Sequence, residues 1–334
     1  MRGMVERARL SADPTPGPLD RPAAPAVLER DRVPRTRSWT AGGSPKLQHP
    51  PRSGEELMAS LPPIDLPKSV TRAGAFDAPA ADDPHRDVRF DYLLRLGDDA
   101  LILGQRLSEW CGHAASVEVD LSLANIALDL VGQATHFLGR AGEVERQGRD
   151  GDTIAFRRDA LDFRNCLLVE QPNGDFAQTM ARQFLFSTWQ KMLLEHLTAS
   201  ADAFIAAVAA KAVKEVTYHQ ELASEWVIRL GDGTDESRRR LADGLDWNWR
   251  FVPELFEMDE LASNAAECGI GVDVARFRDD YDRVIRAVLA EATLEPPADQ
   301  RPILGGRRGH HSEHLGHLLA VMQFLPRTYP DATW

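Results

Sequence analysis

Asp99, Asp129 and Glu215 lie inside long apolar stretches, and Tyr218 and His219 follow the last of them by three and four positions. Carboxylates and imidazoles at helical spacing are the ligands of a dinuclear metal centre. Such a centre takes one Glu from each of two helices and a Glu-x-x-His pair from each of two others. The separation is suitable, because Asp99 precedes Asp129 by 30 residues, the spacing of an antiparallel helix pair joined by a short turn. The ligand chemistry is not. Asp129-Leu-Val-Gly132 has a hydrogen where the imidazole belongs, and Glu215-Val-Thr-Tyr218 has a phenol. His219 stands one position further on, rotated by about 100°. Arg182 or Gln183 occupies the remaining carboxylate position, and a fixed guanidinium is a poor neighbour for two cations. The expectation is a metal-free, proton-linked network of Asp99, Asp129, Gln183, Glu215, Tyr218 and His219, with Lys211 and Arg182 supplying the charge a metal would bring. The alternative is a dinuclear oxygenase with the unusual ligand set Asp99, Asp129, Glu215 and His219.

Two other clusters could do chemistry. His310-His311-Ser-Glu313-His314-x-x-His317 places Glu313, His314 and His317 within one helical turn, in the manner of a metal motif. Solvated or interface histidines at a helix start are the expected role. Gly305-Gly-Arg-Arg-Gly309 could offer amides and the Arg307 and Arg308 guanidinium groups to a phosphate or a partner carboxylate. A subunit contact is the expected use. A stand-alone module binding a CoA thioester through Arg307 and Arg308 is the alternative. No Ser/His/Asp nucleophile constellation and no Walker-type phosphate loop is present, so no catalytic residue is assigned.

The elements that must carry these residues are helical. Apolar positions recur at three- and four-residue spacing over about 88–111, 119–142, 175–199, 201–230, 235–257, 272–292 and 311–326, with Pro and Gly confined to the junctions. No period-two strand of useful length is found, which predicts an all-α bundle. In the second stretch, Leu121, Ala124, Leu128, Val131 and Leu138 form one apolar face and Leu123, Ala127, Leu130, Ala134 and Phe137 another. A helix apolar on two sides is expected to be surrounded by protein. Cys111 is expected to be a small core residue.

Composition separates a tail from this body. Residues 1–87 hold 14 of the 21 prolines and two aromatic residues, and predict a disordered extension. Residues 88–334 form the helical domain, with 26 basic against 39 acidic residues. That acidity argues against a nucleic-acid groove. No apolar run reaches the 18–20 or so residues that cross a bilayer, so no membrane role is expected. Three widely spaced cysteines make no disulfide framework and fit a reducing cytoplasm.

Several motifs in this body are shared with one family. They include Leu107-Ser-Glu-Trp-Cys-Gly-His-Ala114, Leu123-Ala-Asn-Ile-Ala-Leu-Asp-Leu-Val-Gly-Gln-Ala134 and Leu168-Val-Glu-Gln-Pro-Asn-Gly-Asp-Phe176. Lys214-Glu-Val-Thr-Tyr-His219, Arg229-Leu-Gly-Asp-Gly-Thr-Asp235 and Glu313-His-Leu-Gly316 belong to the same set. Together they resemble the PaaC-type subunits of the bacterial ring 1,2-phenylacetyl-CoA epoxidases, over about 88–334. The resemblance implies a ferritin-like four-helix bundle with additional C-terminal helices and largely lost iron ligands. It implies a structural subunit, without a cofactor of its own, that pairs with a catalytic A subunit holding the di-iron centre and binding phenylacetyl-CoA. A small B subunit and a reductase carrying FAD and an iron–sulfur cluster, fed by NADPH, would complete the complex. The complex would insert one atom of O2 across C1–C2 of the ring.

Overall fold

The computed structural model describes Phe76 and residues 82–332, and these are helical with no strand among them. The predicted extension therefore lies almost wholly outside the described residues. Four long helices build the body: α1 (Arg86–Ser108), α2 (Val117–Glu145), α5 (Phe176–Leu197) and α6 (Ala203–Gly231). Between α2 and α5 run the short α3 (Gly151–Arg157) and α4 (Leu167–Glu170). Beyond α6 come α7 (Asp235–Trp249), α8 (Glu260–Glu267), α9 (Arg278–Glu291), α10 (Glu313–Met322) and α11 (Phe324–Thr328).

Side-chain oxygens set where the helices begin. Asp175 caps α5 by accepting from the Gln178 amide at 2.9 Å, and Asp202 caps α6 by accepting from the Phe204 and Ile205 amides at 2.9 and 3.1 Å. Thr234 and Ser237 form a reciprocal capping box at the start of α7. The predicted helix over 235–257 ends earlier than its apolar pattern. Its last turns become a 3-10 segment, Val252–Phe256, because Pro253 cannot donate to a continuing α-helical ladder.

The pairing of residues along neighbouring helices fixes their directions. Gly97 of α1 meets Leu138 of α2, whereas Gly104 meets Ala127, Leu130 and Val131, so the two helices are antiparallel. A Cβ added to Gly97 would stand 2.5 Å from Leu138 Cδ2, so any larger residue would force the Leu138 side chain to shift. The α2 and α6 helices are also antiparallel, since Asp129 faces His219 while Gln133 faces Glu215.

The whole of α1 from Tyr92 to Gly104 is buried, including Arg95, Asp98 and Asp99. It is the central helix because α2, α4, α8 and α10 all pack on it. For α2 the two-faced expectation is corrected. Leu123, Ala127, Leu130, Ala134, Phe137 and Leu138 are core, but Leu121 and Leu128 are 59% and 69% exposed, so one side of α2 faces outward. Cys111 is also exposed, because α1 has ended and the chain turns there.

Candidate functional site

The sequence-predicted network is present in part, as a polar seam between α2, α5 and α6. Gln190 Nε2 donates to Gln133 Oε1 at 3.1 Å, and Gln133 Nε2 donates to Glu215 Oε2 at the same distance. One turn along, His219 Nε2 lies 3.1 Å from Asp129 Oδ2. Lys211 Nζ reaches Glu215 Oε1 at 3.3 Å. The seam opens to solvent on its carboxylate side, where the Asp129 side chain is 35% exposed although the His219 ring is fully buried. Water therefore shares the solvation of Asp129. Asp129→Ala is expected to cost about 1–3 kcal/mol, the range for leaving the buried His219 ring without its partner, with solvent access to the site favouring the lower end, read as a shift of the thermal unfolding midpoint. A loss of several kcal/mol would show the carboxylate to be sealed in.

Three members of the predicted set stand apart. Tyr218 is exposed and adds no hydrogen bond to the seam, meeting it only through an edge-on ring contact with His219. Gln183 is buried on α5, with neither amide atom bonded to the seam. Arg182 is buried too, but it serves the loop before α5, donating to the Gln171 carbonyl and, at 2.6 Å, to Asn173 Oδ1. Burial, and secondarily the charge of Arg106, pulls its pKa down to about 9. Arg182 is thus a support for the Gln171–Asn173 turn and no counter-ion for the seam.

Asp99 belongs to a separate buried centre. Its Oδ2 pairs with Arg307 Nη2 at 2.7 Å, and its Oδ1 accepts from the Cys166 amide at 2.8 Å. Glu254 completes the group. Its Oε2 accepts from the Leu167 amide at 2.6 Å, and its Oε1 accepts from the Gly305 and Arg307 amides at 2.9 and 3.4 Å. Arg307 also donates through Nη1 to the Arg164 carbonyl at 3.2 Å and lies over the Trp189 ring. Burial opposes the charge on Arg307, but Asp99 and the neighbouring Cys166 and Glu254 outweigh it and raise the pKa. The guanidinium is a fixed internal cation. This corrects the expectation that Arg307 meets a partner or a CoA phosphate: it faces inward. Arg308 is more open, and is held by Glu257 at 2.5 Å.

The histidine cluster likewise turns inward at one point. His311 Nδ1 lies 2.7 Å from Glu170 Oε2, and Nε2 lies 3.0 Å from the Phe163 carbonyl. Glu170, fully buried, also accepts from the Ser312 amide at 2.6 Å and Asn165 Nδ2 at 2.8 Å. Glu313 is exposed, and His314 contributes its carbonyl, which accepts from Arg106 Nη2 at 3.0 Å. On α1, Asp98 is fully buried and is clasped by both terminal nitrogens of Arg158, with the Arg164 amide at 2.8 Å. Asp98 thus holds the connector 154–170 onto α1, and Glu170, Glu254 and His311 tie that connector to the start of the segment 303–323. Sequence reading missed these roles. The available signal was the presence of acids within apolar runs, as in Leu167-Leu-Val-Glu170 and Val252-Pro-Glu254-Leu.

The side chains at the ligand positions do not fit a dinuclear metal. An Arg307 nitrogen stands on the Asp99 oxygen that would bind, Gly132 offers no ligand atom, and Tyr218 is turned outward. Asp129 and His219 pair with one another, and the described residues contain no group of three or more His, Cys, Asp or Glu that could hold a metal ion. The arrangement can hold polypeptide segments together through neutralised internal charge.

No described helix is long and apolar enough to cross a membrane. Among curated proteins, the chain is 48% identical over 243 residues to the C component of the 1,2-phenylacetyl-CoA epoxidase of Escherichia coli (strain K12), covering 73% of this chain and 98% of that protein. A family model described as phenylacetic acid catabolic protein matches residues 75–334, the whole helical body. With an all-helical bundle and near-complete coverage of that relative, the chain belongs to the phenylacetic acid catabolic protein family, PaaA/PaaC.

Proposed function

We propose that this chain is a structural, non-catalytic subunit of a 1,2-phenylacetyl-CoA epoxidase in aerobic phenylacetate degradation, acting in the cytoplasm. The observation that carries the reading is the match to the C component of such an enzyme along almost its full length. The ligand-position geometry supports it, since internal cations and hydrogen bonds stand where a metal pair would need open carboxylates. In this reading the di-iron centre, the binding of the thioester and the activation of O2 belong to a catalytic A subunit. FAD, the iron–sulfur cluster and NADPH oxidation belong to a reductase, and a B subunit completes the assembly. The task of this chain is mechanical. A metal site needs ligand helices held in place, and a rigid neighbouring bundle provides that preorganisation. The inward-facing Arg307 removes support from a CoA-binding role for this chain.

Co-expression with the candidate A subunit tests the proposal. The two chains are expected to co-elute on size exclusion, with iron confined to the A subunit and epoxidation absent from either chain alone. Iron at about two atoms in the isolated chain, as a dinuclear site requires, would overturn the assignment.

A further inference from the structure

A small cavity of about 40 Å³ lies where α1, α5 and the segment 254–274 meet, beside the Asp99–Arg307–Glu254 centre. Its wall combines apolar side chains with the charged Arg95, Asp99, Glu254, Glu257 and Arg307. Three side chains on its wall each keep one buried polar atom without a protein partner: Arg95 Nε, Trp189 Nε1 and Glu257 Oε2. The rest of each group is committed. The two terminal nitrogens of Arg95 are paired with Asp259 at 2.8 and 2.5 Å, and Glu257 Oε1 is paired with Arg308 at 2.5 Å. Arg95 and Trp189 are 8% and 3% exposed, so bulk solvent does not serve them.

The chemistry of the wall selects the occupant. Asp99, Glu254 and Glu257 repel an anion, whereas the guanidinium groups of Arg95 and Arg307 repel a cation. An apolar guest would leave two donors and an acceptor unmatched, at a cost of kilocalories for each buried group. A neutral molecule that both accepts and donates meets all three atoms. A water molecule needs about 10–15 Å³ of such volume and two to four partners, so the space takes about three or four at most. We propose that this cavity is a structural water site, in which a small ordered cluster accepts from Arg95 Nε and Trp189 Nε1 and donates to Glu257 Oε2. It joins the Arg95–Asp259 pair, which ties α1 to the start of α8, to Trp189 of α5 and the Glu257–Arg308 pair. The site is independent of the epoxidase reading.

Oxygen-17 relaxation dispersion on the full chain counts long-lived internal water, and Ala262, on the cavity wall, gives a way to fill the space. Ala262→Val is expected to lower the count by at least one and to lower the unfolding midpoint, since the added methyl groups displace water and strand the three polar atoms. A dry cavity gives the opposite pattern, a stabilised variant with an unchanged count, and overturns the proposal. Should Ala262→Val not fold, Trp189→Phe decides. The expected result is a lower count or faster exchange with solvent, because one donor has been removed from the cluster. An identical dispersion profile in Trp189→Phe and the parent chain overturns the site.

Discussion

Arg307→Ala is expected to destabilise the full chain by about 3–5 kcal/mol, the range for removing one partner of a buried ion pair. The side chain lies in the interior, with Asp99 at 2.7 Å and the amide-bound Glu254 alongside. Its loss leaves two buried carboxylates with backbone amides and no cation. Substituting both members should recover much of the loss, so Arg307→Met combined with Asp99→Asn is expected to be more stable than Arg307→Met alone. The favourable coupling in such a cycle measures the pair directly. Urea denaturation of the four proteins supplies the values, and a cycle with no coupling would mean that water neutralises Asp99. Arg307→Lys should recover little, because one ammonium cannot keep both the Asp99 contact and the bond to the Arg164 carbonyl. Association with a catalytic sister subunit is expected to fall in parallel, since the segment that Arg307 anchors is bound to α1 through this centre.

The helices were legible because their signals are local. Three- and four-residue apolar spacing, acidic starts and the glycine stop at 231–233 place α1, α2, α5 and α6 within a few residues at both ends, and α7 at its start. The lack of an imidazole at position 132 was legible for the same reason, since a Gly at the third position after Asp129 needs no tertiary knowledge to rule one out there. Partners across the fold were not. Asp99 and Arg307 are more than two hundred residues apart, and nothing in the Gly305–Gly309 run tells whether its guanidinium groups face water or the core. Pattern reading assigned Asp99 to the Asp129–Glu215 seam because all three occupy comparable positions along their helices. A helix has two buried faces when it is central, however, and Asp99 lies on the face covered by the C-terminal segment. The outward side of α2 was misread for a related reason. Leu121 and Leu128 keep the helical apolar period, and periodicity alone does not say whether the surface that covers a face belongs to the same chain.

Glu170→Ala is the second large effect, expected at about 3–4 kcal/mol, because one carboxylate holds three donors at full burial. Its bond to His311 also makes stability depend on pH. Both ring nitrogens of His311 face acceptors, so both must carry protons, and the ring is an imidazolium when the segment is docked. Burial opposes that charge, but the Glu170 hydrogen bond and charge, with the Phe163 carbonyl, outweigh it and raise the pKa. A raised folded-state value means the contribution is fully present below the unfolded value of about 6.5 and is lost as pH climbs through the folded one. The parent chain should therefore lose more stability between about pH 6 and about pH 9 than Glu170→Gln, whose amide gives the imidazolium no charge to favour. The difference between the two curves isolates this pair from every other titrating group. Parallel curves would mean that His311 is neutral in the fold and one of its contacts is unmade. If the docked imidazolium is the link, limited proteolysis at the alkaline end should cut first near 303–312 and release α10 and α11, while α1 and α2 stay protected by their mutual packing.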